Sequence, residues 1–280
     1  MATSPDLSQK TELRLLSALV KQIDTAVART PYLLAGAMAR DLLLVYAHGI
    51  PNKRATTDVD LAFLVESWKE FEALRQRLLA KDDFAEVPSK GIHKLRFRRE
   101  LEVDILPFGG VENPDRTIAL PPDNAFVMTM FGFKEALEST VTVILPDDAR
   151  VQVVSLPALA ILKLSAWAER RLREPGKDAH DLLLIVRNYL DAGNLDRMYE
   201  EYPEAGGSPF DYESAGAWLL GKDMARLLDE AGRSRLAAMI ADEADELGKL
   251  RLVGDMMRDN PERALALLAA LDEGFNEGLT

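Results

Sequence analysis

The chain has 280 residues, 48% hydrophobic and 29% charged, which excludes a disordered tail protein and a collagen-like repeat. With no cysteine, no apolar signal core and no apolar run near the roughly 20 residues that span a bilayer, it excludes disulfides, thiolate chemistry and a membrane partner, and a cytoplasmic protein is expected. The net charge of −12 is uneven: residues 1–190 hold 25 Lys and Arg against 26 Asp and Glu, while residues 191–280 hold 9 against 20, so only the first part suits a phosphate-rich ligand and duplex DNA is not expected.

Leu13, Leu16, Leu19, Ile23 and Val27 keep helical spacing and predict a helix over 11–28. A short strand over 32–35 follows, stopped by Gly36, and then a helix over 37–47. Alternating Val59, Leu61, Phe63 and Val65 predict a strand over 58–65, before a helix over 68–79. Residues 93–97 and 101–108 read as an antiparallel pair turned at Arg99-Glu100, with Phe108-Gly109-Gly110 as a second turn that keeps a site mouth open. Strand signal recurs over 140–145 and 151–154. Beyond Pro157 the pattern is helical only, through Leu159 and Leu162, residues 182–190, Leu236 and Ile240, and Leu265, Leu268 and Leu271. Pro203, Gly206, Gly207 and Pro209 mark a linker over 202–212. The expected organisation is an α/β domain over 1–155 and a helical domain over 156–280, with a sub-boundary near 203–212 as an option.

Asp58 and Asp60 carry the most chemical information. Residues i and i+2 of a strand share a face, so Val59 and Leu61 point to the core while the two carboxylates point together. Adjacent carboxylates stay ionised only where a cation or dense hydrogen bonding compensates them. Asp104, between Val103 and Ile105, is a third acid with apolar neighbours. If its strand lies beside the first, hard oxygen donors gather on one face, and a cation such as Mg²⁺ takes such donors together with waters and phosphate oxygens. Upstream, Leu33-Leu34-Ala35-Gly36-Ala37 reads strand, glycine, helix, a turn that lets backbone N–H groups approach a phosphate.

Gly36 with its helix, then Arg54-x-Thr56-Thr57-Asp58-x-Asp60, then Val103-Asp104, resemble the DNA polymerase beta-type nucleotidyltransferase superfamily. Lys163-x-x-Ala166-x-x-x-Arg170, followed by Lys177-Asp178-x-x-Asp181-Leu182, is similar to its AbiEii/AbiGii-type branch, which includes toxin components of bacterial abortive-infection and toxin–antitoxin systems. The resemblance implies an α+β fold, a nucleotidyltransferase core of mixed sheet flanked by helices followed by a C-terminal helical region. It implies a transferase moving a nucleoside monophosphate from an NTP to an RNA or protein acceptor, with a cognate antitoxin as a further partner. Asp58, Asp60 and Asp104 would then be catalytic and hold two Mg²⁺ ions. Gly36, Ala37, Arg54 and Thr57, with Lys163, Arg170 and Lys177, would bind the nucleotide, and Asp178 and Asp181 would orient those cations.

Two positions depart from the family's pattern. Ala37 stands where Ser or Thr is common, and Leu42 where an arginine is expected; Arg40 is the nearest cation, on a different side of the helix. Two alternatives therefore stay open. One is a small-molecule transferase similar to those that inactivate aminoglycosides, for which the acidic last third suits a cationic substrate. The other is a non-catalytic nucleotide-binding module, motivated by the missing hydroxyl at Ala37. Lys90, Lys94, Arg96, Arg98 and Arg99 form the one dense basic run, either a guide for an RNA acceptor or triphosphate tail or a solvated hairpin face. His48, His93 and His180 have no zinc-site spacing, and Trp167 and Trp218 read as core or interface residues rather than base-stacking platforms.

Overall fold

The computed structural model describes residues 4–278, apart from residues 28, 53, 55, 88–90, 122, 123, 125, 175 and 202–210. Lys90 and most of the predicted linker over 202–212 lie outside the described residues. The chain divides into two compact units, Met1–Ser155 and Leu156–Thr280.

The first unit opens with α1 (Arg14–Val27), which buries Leu16, Leu19, Val20, Ile23 and Val27 on one face. It continues through β1 (Tyr32–Ala35), α2 (Gly36–Arg40), β2 (Asp58–Val65) and α3 (Trp68–Leu79). Next come β3 (Phe84–Glu86), β4 (Lys94–Phe97), β5 (Leu101–Gly109), β6 (Thr117–Leu120), β7 (Phe126–Thr129), α4 (Phe133–Glu138), β8 (Thr140–Ile144) and β9 (Arg150–Val154). Seven strands form one sheet in the order β3-β4-β5-β2-β1-β9-β8, and β6 pairs with β7 separately. The sheet is mixed: β2 runs parallel to β5 and β1 to β9, while β1–β2, β3–β4, β4–β5 and β8–β9 are antiparallel. Helix α3 starts where the Ser67 hydroxyl accepts from the Glu70 N–H at 3.3 Å, and the Glu70 carboxylate accepts from the N–H of Glu66, just before the cap, at 2.8 Å, which ties the exit of β2 to the helix start.

The second unit is helical throughout: α5 (Leu156–Arg170), α6 (Lys177–Arg187), α7 (Leu195–Glu201), α8 (Tyr212–Leu227), α9 (Glu230–Ala244), α10 (Arg251–Met256) and α11 (Pro261–Glu277). Helices α8 and α11 pack so closely that a Cβ built on Gly274 would lie 1.9 Å from the Trp218 carbonyl oxygen, and one on Gly221 2.1 Å from that of Leu271. Asp211 caps α8, and Asn260 caps α11 with Pro261 in its first turn. A mixed sheet flanked by helices and followed by a helical region is the architecture expected from the sequence.

The elements differ from expectation in four places. The helix predicted over 37–47 is α-helical only through Arg40 and then widens into a π-helical stretch, Asp41–Tyr46. Strand β3, the β6–β7 hairpin and α4 are too short to show a period. The turn between β4 and β5 spans three residues, Arg98–Glu100, with Arg98 and Arg99 in the left-handed region at φ 48° and 61°. Phe108 and Gly109 belong to β5, and Gly109 pairs with Val65 at the far end of β2 from Asp58. The glycine pair is therefore about 16 Å along the strand from Asp104 and frames no site mouth there. Gly110 instead meets the Glu66 backbone.

Candidate active site

The parallel register of β2 and β5 sets Asp58 opposite Glu102 and Asp60 opposite Asp104. Residues directly opposite across a sheet point to the same face, so these four acids form one patch. Their burial follows the alternation: Val59, Leu61, Val103 and Ile105 are fully buried, while the four acids are half-buried. The antiparallel register of β4 and β5 then sets Lys94 opposite Asp104 and Arg96 opposite Glu102. Two rows result. One runs Asp60, Asp104, Lys94; the other runs Asp58, Glu102, Arg96.

The rows differ in tightness. Lys94 Nζ donates to both carboxylate oxygens of Asp104 at 2.6 Å, with side-chain exposures of 26% and 14%. Arg96 reaches Glu102 at 3.4 Å, and both groups are more exposed. The Asp58 carboxylate has no hydrogen-bond or ion-pair partner among the described residues, whereas Asp60 has an interaction partner of its own. Sequence reasoning passed over Lys94 as a site residue and over Glu102. The complementary charges of the two strands were visible in the sequence, but the register that sets Lys94 opposite Asp104 and Arg96 opposite Glu102 follows from the three-residue turn, which sequence reading places at Arg99-Glu100.

Gly36 opens α2 at φ +67°, and a Cβ built there would lie 1.8 Å from Asp60 Oδ2. The carboxylate rests on the space that the missing side chain leaves, which gives the glycine a reason beyond its backbone angle. Ala37 follows, half-buried in α2. Leu42, where an arginine was expected, is fully buried. The buried cation is Arg40, only 1% exposed, whose Nε and Nη2 donate to Asp41 Oδ1 at 2.9 and 2.7 Å. Arg40 Nη2 also donates to the Thr56 hydroxyl at 3.3 Å, that hydroxyl donates to Asp41 Oδ2, and Asn52 Nδ2 donates to Asp41 Oδ1 at 3.1 Å. This network anchors the approach to β2 from the π-helical stretch, and it uses Thr56, whereas Thr57 is exposed. Arg54 is exposed, and its backbone exchanges hydrogen bonds with Asn52.

In the second unit, the other candidates form one ion-pair cluster. Lys163 Nζ lies 2.6 Å from Asp181 and 3.3 Å from Asp178, and Arg170 donates to both oxygens of Asp178 at 2.7 and 2.8 Å. Burial alone would raise the Asp178 carboxyl, but Arg170 and Lys163 outweigh it and hold it below the ordinary carboxylate value. Lys177 pairs instead with Glu174 at 3.1 Å.

The basic run is largely neutralised. Besides the pairs of Lys94 and Arg96, Arg98 is paired with Asp83 at 3.1 Å, which among the described residues of the run leaves Arg99 as an exposed cation at the hairpin tip. His93 stacks on Phe126, with ring centroids 5.8 Å apart, and burial lowers its pKa. His48 and His180 are exposed, and Trp167 and Trp218 are buried as core residues.

No group of three or more His, Cys, Asp or Glu side chains near enough to hold a metal among themselves occurs among the described residues. Two carboxylates suffice for Mg²⁺, which fills its octahedron with waters and substrate phosphates. Asp58 and Asp60, about 6.6 Å apart along one strand face, fit that donor chemistry. No helix among the described residues is long and apolar enough to cross a membrane.

A protein family described as "Nucleotidyl transferase AbiEii toxin, Type IV TA system" matches residues 17–271. No curated protein matches the chain.

Proposed function

The chain belongs to the AbiEii nucleotidyl transferase toxin family, and from that premise we propose that its acid face carries a divalent-cation-dependent transfer of a nucleoside monophosphate from an NTP to a hydroxyl of an RNA or protein acceptor. Transfer of a phosphorus-containing group and a role as the toxin of a type IV toxin–antitoxin system are properties of the family, which also implies a cognate antitoxin. The observation that carries the finer reading is the alignment of Asp58, Asp60 and Asp104 on one half-buried face of two parallel strands.

In the reaction, the bond from the α-phosphorus to the oxygen bridging it to the β-phosphate breaks. A new bond forms from the acceptor oxygen to that phosphorus, the hydroxyl proton passes towards Asp104, and pyrophosphate leaves with the electron pair. Asp58 and Asp60 would hold Mg²⁺, which supplies charge compensation for the triphosphate when bound. Gly36 keeps the Asp60 carboxylate in place by leaving it room, and the network of Arg40, Asp41 and Thr56 fixes the backbone from which β2 starts. Because Lys94, Arg96 and Arg98 are paired with acids, the basic run lends little support to an RNA guide.

The test is label transfer from each α-³²P NTP, with Mg²⁺, into total RNA and into total protein. The native chain should label one pool, and Asp58→Asn and Asp60→Asn should lower labelling by at least about 100-fold, in line with losing a charge-stabilising group. Equal labelling by the native chain and either variant would overturn the assignment of the acid pair.

A further inference from the structure

We infer that Lys94 is a further substrate-contacting residue of the acid face, its ammonium donating to a non-bridging oxygen on the α-phosphate of the nucleotide. This inference rests on the reading of that face as the site of nucleotidyl transfer and adds to it a cation supplied by the chain itself.

The ammonium is held at a fixed point. Lys94 Nζ donates to both carboxylate oxygens of Asp104 at 2.6 Å, and its side chain is 26% exposed. In the neighbouring row Arg96 reaches Glu102 only at 3.4 Å with 43% of its side chain exposed, a loose surface pair. The backbone that leads into β4 is tied down as well. Arg75 Nε donates to the Ile92 carbonyl at 3.0 Å, and the Ile105 N–H donates to the His93 carbonyl at 2.7 Å.

An ammonium carries three N–H donors, so a carboxylate that accepts two leaves the third uncommitted. Lys94 has no other partner among the described residues. Strands β4, β5 and β2 are consecutive in the sheet, so Lys94, Asp104 and Asp60 stand in one row on the face that the acids share. Because Lys94 reaches across to Asp104, its charge lies about one strand spacing, roughly 5 Å, from the Asp60 position. In the proposed reaction the α-phosphate sits between Asp60 and the hydroxyl that loses its proton towards Asp104, within reach of that third N–H. An anionic substrate on a face with four carboxylates needs cations close by, and a lysine is a compact point charge suited to phosphate. Asp104 keeps its remaining lone pairs for the acceptor hydroxyl.

Initial rates of label transfer by the full chain with Mg²⁺ test the assignment. The donors are the NTP that labels best and its two α-thio diastereomers, in which sulfur replaces one or the other non-bridging oxygen. Lys94→Met should lower kcat/KM for the natural donor by about 100-fold, in line with losing one fixed donor at the reacting centre. The native chain should transfer one diastereomer more slowly than the natural donor, and Lys94→Met should reduce that sulfur penalty, because it has no N–H there to lose. Lys94→Arg keeps a charged donor and should retain more activity than Lys94→Met. Lys94→Ala is the second variant should Lys94→Met fail to fold by circular dichroism. A folded Lys94→Met or Lys94→Ala chain as active as the native one, or a sulfur penalty unchanged by the substitution, overturns the role of Lys94; label transfer that Asp60→Asn abolishes would still uphold the acid-pair reading. No transfer by the native chain from any NTP overturns that reading and this inference with it.

Discussion

At the scale of single residues, burial decides which charges matter. Asp178 is 1% exposed and bonded to Arg170 and Lys163, while Lys177 holds only the exposed Glu174. A carboxyl whose folded pKa is depressed adds stability above its unfolded value of about 3.9, and that contribution is lost as pH falls through the lower folded value. Asp178→Asn should therefore cost about 3 kcal/mol at pH 7, because it leaves two cations without their shared partner. The cost should shrink as pH falls below that unfolded value, because the unfolded carboxyl then takes up a proton that the native one resists. Urea midpoints of native and variant chains at pH 7 and at pH 2.5 check this, and an equal difference at both would show that the charge is not what stabilises. Asp58, Asp60 and Asp104 were legible one by one, because acids between apolar neighbours are unusual in a strand, whereas Glu102 was passed over. Lys94 was not, because a lysine in a basic run looks like solvent-facing charge until its cross-strand neighbour is known.

At the scale of elements, period and punctuation decide what can be read. Strand β2 and helix α3 show eight and twelve residues of clear pattern and lie where the periodicity puts them. Strand β3 has three residues, and β7 leaves Phe126 and Val127 exposed, so neither carries an alternation to detect. The π-helical stretch Asp41–Tyr46 was hidden for a different reason: its residues are ordinary helix formers, and the widening goes with the side-chain network of Arg40, Asp41 and Thr56. Glycines in helices show the same dependence on surroundings. Gly274→Ala brings a methyl group against the Trp218 backbone, and the strain of about 1–3 kcal/mol should exceed the gain of about 1 kcal/mol in helix propensity. Gly254, in α10, has nothing within 4 Å of an added Cβ, so Gly254→Ala should stabilise by roughly 0.5–1 kcal/mol. Opposite shifts of the thermal midpoint are expected, and shifts of the same sign would refute the packing argument.

At the scale of the whole molecule, toxin-family membership predicts a phenotype. Induced expression of the intact chain in a bacterial host should arrest growth, and Asp60→Asn should restore it; growth curves that coincide for native and variant chains would detach any arrest from the acid face. By itself the sequence determined the fold class, because hydrophobic period distinguishes strand from helix and its change after Pro157 separates a mixed from a helical region. It also determined that Asp58 and Asp60 share a face, since a strand's period of two leaves no choice. Only the tertiary structure decided what lies beside them. The parallel alignment of β2 with β5, the three-residue turn that sets Lys94 opposite Asp104, and the fit of Gly36 beneath Asp60 are matters of register and approach between segments distant in sequence. Local pattern cannot encode them, because a one-residue slip in strand pairing preserves every propensity and changes every partner.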